Sequence, residues 1–516
     1  MEGVDGHFHP TAGNVTDSAY VPFISYLQHR LIRLGRRKFK LTRNRSPCDD
    51  QESDEEEVDS PADMFRWSTI LKVPHRLRKV SEDAYTPQII SIGPYHRGLP
   101  HLKEMEEYKK QCLTRFTEKI GQEKVDRYMK DMNIEEARKF YSPSLDLAGK
   151  PEAFKEMILL DGVFLVELLC AKKIWDIAPI FKIKWIQNAL LHDLLLLENQ
   201  VPFFVLADLY RLTVEDNPKD GKGFASKAFS VLFTLLPGPR DFMFRYHIIT
   251  INDTTDNIMH LLSLVHDRWS PSVEGIQRHE KFYCGKKGKK VQGDKESGVI
   301  ISTKGESSYL KYWKRWFARD DENLGEGLAE WQSIRCATEL EEAGIKFVKT
   351  GVNRWNNVGS LFDISFKDAT LKIPTLVVDD NTERLFRNLI AYELYAQGST
   401  YVMDYVTFMD NLINSDKDVK LFRLSGVIVN LLGDDEAVAQ MINKLRDHVT
   451  LSGDLFYYEE IFVDVKKHCG RRWNIWKAKL RRDYFNSPWA LLSFMAALLI
   501  VLLTIGSFVT SLLALG

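Results

Sequence analysis

The side chains best suited to chemistry are three carboxylates in apolar surroundings, Asp161, Asp193 and Glu198, and three histidines in a proline-punctuated stretch, His75, His96 and His101. Carboxyl groups whose pKa values are pushed apart by their environments act as general acid and base in hydrolases. That chemistry needs at least two of them to converge on one substrate atom. Asp161 follows Met157 and precedes Leu165 at helical spacing, which puts it on an apolar stripe. Asp193 interrupts the run LLHDLLLLENQVPFFVL, in which Glu198, Asn199 and Gln200 stand just before Pro202. A carboxylate buried without a partner is costly, so each is expected to hold basic groups or backbone donors across helix contacts. The histidines have no metal-site spacing, and no carboxylate or thiolate accompanies them in a ligand pattern. With Tyr85 and Tyr95 they could line a polar pocket, although structural loop contacts are the plainer expectation. YCGKKGKK, around Gly285, does not complete the phosphate-cradling pattern G-x-x-x-x-G-K-S/T, and neither G-x-S-x-G nor H-E-x-x-H occurs. No catalytic, cofactor-binding or metal-ligating residue is assigned.

The elements that must position these groups are mostly helical. Pro74, Pro87 and Pro94 forbid a continuous helix between Ile70 and Gly98, while Ile89, Ile90 and Ile92 offer a short extended run ending at Gly93-Pro94. Met105, Tyr108 and Cys112 recur at helical spacing from Leu102 to about Ile120. Pro151 beside Glu152 marks a second helix start, running to Ala171. A third helix is expected from Ile186 to about Leu212, kinked or broken at Pro202. Further on, a helix from Cys336 stops near Gly344. FDISF (Phe362 to Phe366) and LKIPTLVV (Leu371 to Val378) then read as a small β-hairpin with Pro374 on an edge. DNTE (Asp380 to Glu383) resembles a capping box and opens a helix to Gly398. Val402 to Ile413 forms the next helical stripe, Ser415 to Asp418 starts a helix expected to end at Gly433, and further helices start at Asp435 and Leu455.

The chain has 516 residues and a formal net charge of -1, which argues against a global attraction to nucleic acid. Its 6 cysteines form no C-x-x-C pair, a pattern suited to a reducing compartment. Residues 1–63 join a basic piece (Arg30 to Arg45) to an acidic one (Asp49 to Asp59) and read as a disordered charged extension. Two helical parts, 64–267 and 331–485, flank a flexible basic insertion at 268–330. From Pro488 to Gly516 there is no charged residue, and the length suits a transmembrane helix over 488–515. Arg481 and Arg482 precede it, with Tyr484 and Trp489 at the expected membrane edge, so the preceding domain is expected on the cytosolic side.

Several unusual strings occur in order between Ile70 and Leu513: SIGPYHRG (Ser91 to Gly98), Leu160-Asp161-Gly162-Phe164, DLLLLENQVPFFVL (Asp193 to Leu206), ATELEEAGIKF (Ala337 to Phe347) and RNLIAYE (Arg387 to Glu393). Together with Ala84-Tyr85-Thr86-Pro87 and Met105-Glu106 with Lys109, the chain resembles the plant domain-of-unknown-function family 247, also called uncharacterised protein family 0481. The resemblance implies a plant protein with a mainly helical domain and a C-terminal membrane helix, in a family without an established enzymatic activity. Gly506-Ser507 departs from the family's Gln-Thr pair. The resemblance hands over no catalytic assignment. Its strings supply candidate structural or interaction residues: Pro74, His75, Tyr85, Pro87, Gly93, Pro94, Tyr95, His96, Asp161, Asp193, Glu198, Asn199, Gln200, Pro202, Asn388 and Glu393.

The expected fold is therefore mainly α: a large helical cytosolic domain with a small β-hairpin and one C-terminal transmembrane helix. The expected function is a non-enzymatic protein-interaction or signalling module, the alternative being a membrane-bound hydrolase-like enzyme using buried carboxylates. Expected partners are membrane lipid through 488–515 and a protein, with no cofactor and no nucleic acid; the oligomeric state is left open.

Overall fold

Proline dictates the first segment. Pro74 directs the chain into the single turn α1 (His75–Arg78), and beyond a 3-10 turn at Asp83–Tyr85 the backbone runs without helix to Pro100. The computed structural model describes residues 69–143, 145, 151–214, 221–238, 258–272, 274–282, 334–350, 360–396, 400–449, 456–470 and 488–514. The expected 1–63 extension, most of the expected 268–330 insertion, and Arg481, Arg482 and Tyr484 lie outside them. Trp489 falls within a helix, but its side chain is not among those described.

Helices follow in the order α2 (Lys103–Ile120), α3 (Gln122–Asp131), α4 (Ile134–Lys139), α5 (Pro151–Cys170), α6 (Lys184–Asp193), α7 (Phe203–Thr213), α8 (Gly221–Leu232), α9 (Leu261–Arg268) and α10 (274–282). α5 begins at Pro151, as its sequence requires, and is buried almost all round from Phe154 to Leu169, the mark of a central core helix. It packs against α2, α7 and α8. Each fully buried Leu or Phe there contributes about 1.5–3 kcal/mol.

The second half holds α11 (Ala337–Glu342), β1 (Lys346–Lys349), β2 (Ser365–Lys367), β3 (Thr370–Ile373), β4 (Leu376–Val378), α12 (Thr382–Tyr395), α13 (Tyr401–Leu412), α14 (Asp416–Leu424), β5 (Ile428–Asn430), α15 (Asp435–Leu445), α16 (Glu459–Cys469) and α17 (Pro488–Ala514). β2 and β3 form an antiparallel hairpin where one was expected, but shorter, since residues 362–364 and Leu376–Val378 take no part in it, and β1 joins β3 in parallel. The hairpin turns on Asp368 and Ala369, both at positive φ (50° and 55°), the backbone of a tight two-residue loop. Pro374 separates β3 from β4, which leaves the first sheet and pairs in parallel with β5. α12 is buried from Arg384 to Glu393 and packs on α9, α13, α15 and the Asp83–Tyr85 turn, joining the two halves.

Four expectations are corrected. The third helix ends at Asp193 rather than at Pro202, because the Asn199 and Gln200 side chains take the carbonyls of Asp193, Leu194 and Leu196 that a continuing helix would use. α12 starts at Thr382 with no side-chain bond from its N-cap residue Asn381, so the DNTE capping box does not form. The helix opened by Ser415 and Asp418 does have its capping box, but it stops at Leu424, where Gly426 (φ 74°) turns the chain into β5. The terminal apolar run is helical, but the membrane span is withdrawn: among the described residues no helix is long and apolar enough to cross a membrane.

Candidate functional site

The family-like strings meet where the segment from Ile70 to His101 lies on the turn between α6 and α7. At Ile90 and Ile92 this segment is neither helix nor strand, so its backbone donors must be satisfied by other means. Side-chain oxygens supply them. Asp193 accepts from the N–H groups of Gln88 (2.9 Å), Ile89 (2.6 Å) and Ile90 (3.0 Å), and from Arg384 Nη2 at 2.7 Å. Asn199 Oδ1 accepts from Ile92 N–H at 2.6 Å, while its Nδ2 donates to Ile90 O and Asp193 O. Asp161 Oδ2 accepts from Gly93 N–H at 2.8 Å, and Glu198 Oε1 accepts from Val73 N–H at 2.6 Å.

Four cations balance these carboxylates, Lys109, Arg78, Arg384 and Arg97, whose Nη1 lies 3.9 Å from Asp161 Oδ2. Lys109 is fully buried, and its ammonium donates to Ser91 O, Glu106 Oε1 and Asp161 Oδ1, which uses all three of its protons. Arg78 Nη2 donates to Glu198 Oε2 at 2.6 Å. His96 Nε2 stands 3.2 Å from the same oxygen, close enough for an ion pair but too poorly aligned for a full hydrogen bond. Arg384 bridges Asp193 and Thr86 O. Burial raises the pKa of Asp193 more than Arg384 and the three amide donors lower it, and burial likewise raises Asp161 against the pull of Lys109. For Glu198 burial is outweighed by His96, Arg78 and the Val73 amide, and its pKa falls below the usual carboxylate value.

Gly93 fits because its φ is 74° and a Cβ there would lie 2.6 Å from Gln200 O. Gln200 ties its own turn to α9 by accepting from Leu262 N–H, and Tyr141 OH donates to Gln200 O. Tyr95 OH donates to Ile70 O. Pro202 is the N-cap residue of α7, whose Phe203 N–H reaches Met259 O. From α12, Asn388 accepts from Leu197 N–H and donates to Ala84 O. Tyr85 is buried with the Arg78 guanidinium over its ring, and Pro87 is buried with its carbonyl bonded to His101 Nε2. His75 is exposed, so the three histidines do not form one pocket.

Glu393 belongs to a second cluster. Its carboxylate accepts from Val402 and Met403 N–H at the start of α13 and lies 2.8 Å from His266 Nε2. Burial alone would lower the His266 pKa, but Asp267 and Glu393 overcome it and raise the value to about 9.

Asp161, Asp193 and Glu198 thus converge on the backbone of one segment. A surface cleft of about 630 Å3 lies elsewhere, lined by Asp416, Arg423, Asn430, Gly433, Asp434, Asp435 and Glu436. Among the described residues no group of three or more His, Cys, Asp or Glu side chains is arranged to hold a metal ion. Sequence reasoning missed Arg384 and His266. Arg384 lies four residues before Asn388, on the same helix face, and that spacing could have found it.

Residues 70–503 match the family DUF247, described as plant protein of unknown function. The chain is 28% identical over 445 residues to the UPF0481 protein At3g47200 of Arabidopsis thaliana, covering 84% of each chain. It is 25% identical to the Putative UPF0481 protein At3g02645 of Arabidopsis thaliana, covering 84% of this chain and 88% of the relative. No solved structure matches it.

Proposed function

The chain belongs to DUF247, a plant family of unknown function, and from that premise we propose that it is a non-enzymatic recognition module that binds another protein through its surface. The carrying observation is the exposed apolar group around β5, in which Leu424 is 73% and Leu431 58% exposed, with Val429 between them in sequence. Their sequence neighbours Arg423 and Asn430 line the cleft together with Asp434, Asp435 and Glu436, and exposed apolar residues beside charged ones are the composition of protein interfaces. The use of Asp161, Asp193 and Glu198 supports the same reading. Each is already engaged with backbone N–H groups and a cation, which leaves acid and base chemistry without a free carboxylate face at that place.

The test is a photocrosslinking residue in place of Leu431 in the full chain, expressed in plant cells. A discrete protein adduct that disappears in the Leu424→Glu background, with the melting temperature unchanged, is expected. The same adducts from a crosslinker at exposed Tyr395 would refute the assignment of this surface.

A further inference from the structure

The connection between α5 and α6 carries a different exposed surface. Its 3-10 turns, Ile174–Asp176 and Pro179–Lys182, point Ile177, Ala178 and Phe181 into the core. Arg115 Nη2 donates to Ile177 O, and Tyr108 packs on Phe181 with ring centroids 6.2 Å apart. The segment is therefore anchored from within. Its outer side nevertheless leaves Trp175 39%, Ile183 46% and Trp185 65% exposed. Lys172, Lys173, Lys182 and Lys184 are exposed around them, with Asp176 as the only acidic residue from 172 to 185. Lys173 Nζ sits 5.5 Å from the centre of the Trp175 ring.

We propose that these turns form a peripheral docking surface for an anionic lipid bilayer, with Trp175, Ile183 and Trp185 entering the headgroup layer and the lysines meeting lipid phosphate and carboxylate groups. Tryptophan favours the bilayer interface, and lysine is attracted to an anionic leaflet. A protein partner suits the composition less well, because lysine is depleted at protein interfaces. Nor does the segment line the 630 Å3 cleft, where a peptide could be held. Such a contact rests on the turns alone and requires no spanning helix.

The test is hydroxyl-radical footprinting of the full chain with phosphatidylcholine vesicles, with and without phosphatidylserine, reading Trp175 and Trp185 separately and using exposed Tyr395 as an internal reference. Phosphatidylserine vesicles are expected to protect both tryptophans at least threefold while Tyr395 is unchanged. In Lys182→Glu/Lys184→Glu the lipid concentration for half-protection should rise by about 25-fold or more, roughly fivefold for each lysine lost near the surface. Absent protection, equal protection by pure phosphatidylcholine, or protection that follows protein concentration without vesicles would each overturn the proposal. Because this readout is confined to residues 175 and 185, its failure leaves the β5 surface untouched.

Discussion

Replacing Asp193 by Asn tests whether the buried carboxylates act as clasps for the segment before α2. The carboxylate's two oxygens accept four donors, from Gln88, Ile89, Ile90 and Arg384. An Asn amide offers one oxygen and turns an NH2 group toward the remaining donors, whichever way it is flipped. It also leaves the Arg384 charge buried without its counterion. Removing one member of a buried ion pair costs about 3–5 kcal/mol. Set against a total stability of roughly 5–15 kcal/mol, Asp193→Asn should lower the urea midpoint of the full chain by about a fifth or more. In a cycle with Arg384→Met, the double variant should cost less than the sum of the single ones by about 2–3 kcal/mol, since removing both partners also removes the stranded charge. Amide exchange at Gln88, Ile89 and Ile90 should quicken more than at the α16 core. Asp193→Asn staying within about 1 kcal/mol of the parent, or an additive cycle with unchanged exchange at these three amides, would refute a clasp role for this carboxylate.

Three further outcomes follow from the geometry. Gly93→Ala should lose more than about 1 kcal/mol in chemical denaturation, since a Cβ at φ 74° would meet the Gln200 carbonyl, which cannot move freely. Ala369→Gly should do the opposite and raise stability by about 1 kcal/mol, because Ala369 holds a φ of 55° in the β2–β3 turn; an unchanged or lower melting temperature would show that the turn carries no strain. The His266 pKa is raised to about 9 in the fold from about 6.5 in the unfolded chain. Its contribution is therefore fully present below about pH 6.5 and lost as pH rises through about 9. Stability measured across this window should decline in the parent by about 3 kcal/mol and stay flatter in His266→Gln; parallel profiles would exclude His266 as the titrating group.

What could be read from sequence was what neighbouring residues decide. Pro151 opened α5, Gly344 closed α11, and the Ser415 and Asp418 capping box opened α14, all through interactions within a few residues. The burial of Asp161, Asp193 and Glu198, with basic and backbone partners, followed from the cost of an unpaired charge. Which partners they would find did not, because Arg384 lies 191 positions from Asp193 and no local pattern encodes that distance. Pro202 suggested the wrong end for α6 for a related reason: the side chains of Asn199 and Gln200 draw backbone carbonyls away from the helix first, and helix propensity says nothing of that competition. β5 was absorbed into a helix because three residues are too few to show a period of two.

The bond from Asn388 to Ala84 joins positions 304 residues apart. During translation the early segment leaves the ribosome long before α12 exists to receive it. At 5–20 residues per second the delay is roughly 15–60 s. Through that interval Ile90, Ile92 and the apolar α5 have no finished core to enter, so nascent chains of this protein should depend on holding chaperones, and truncations ending before α12 should accumulate as aggregates.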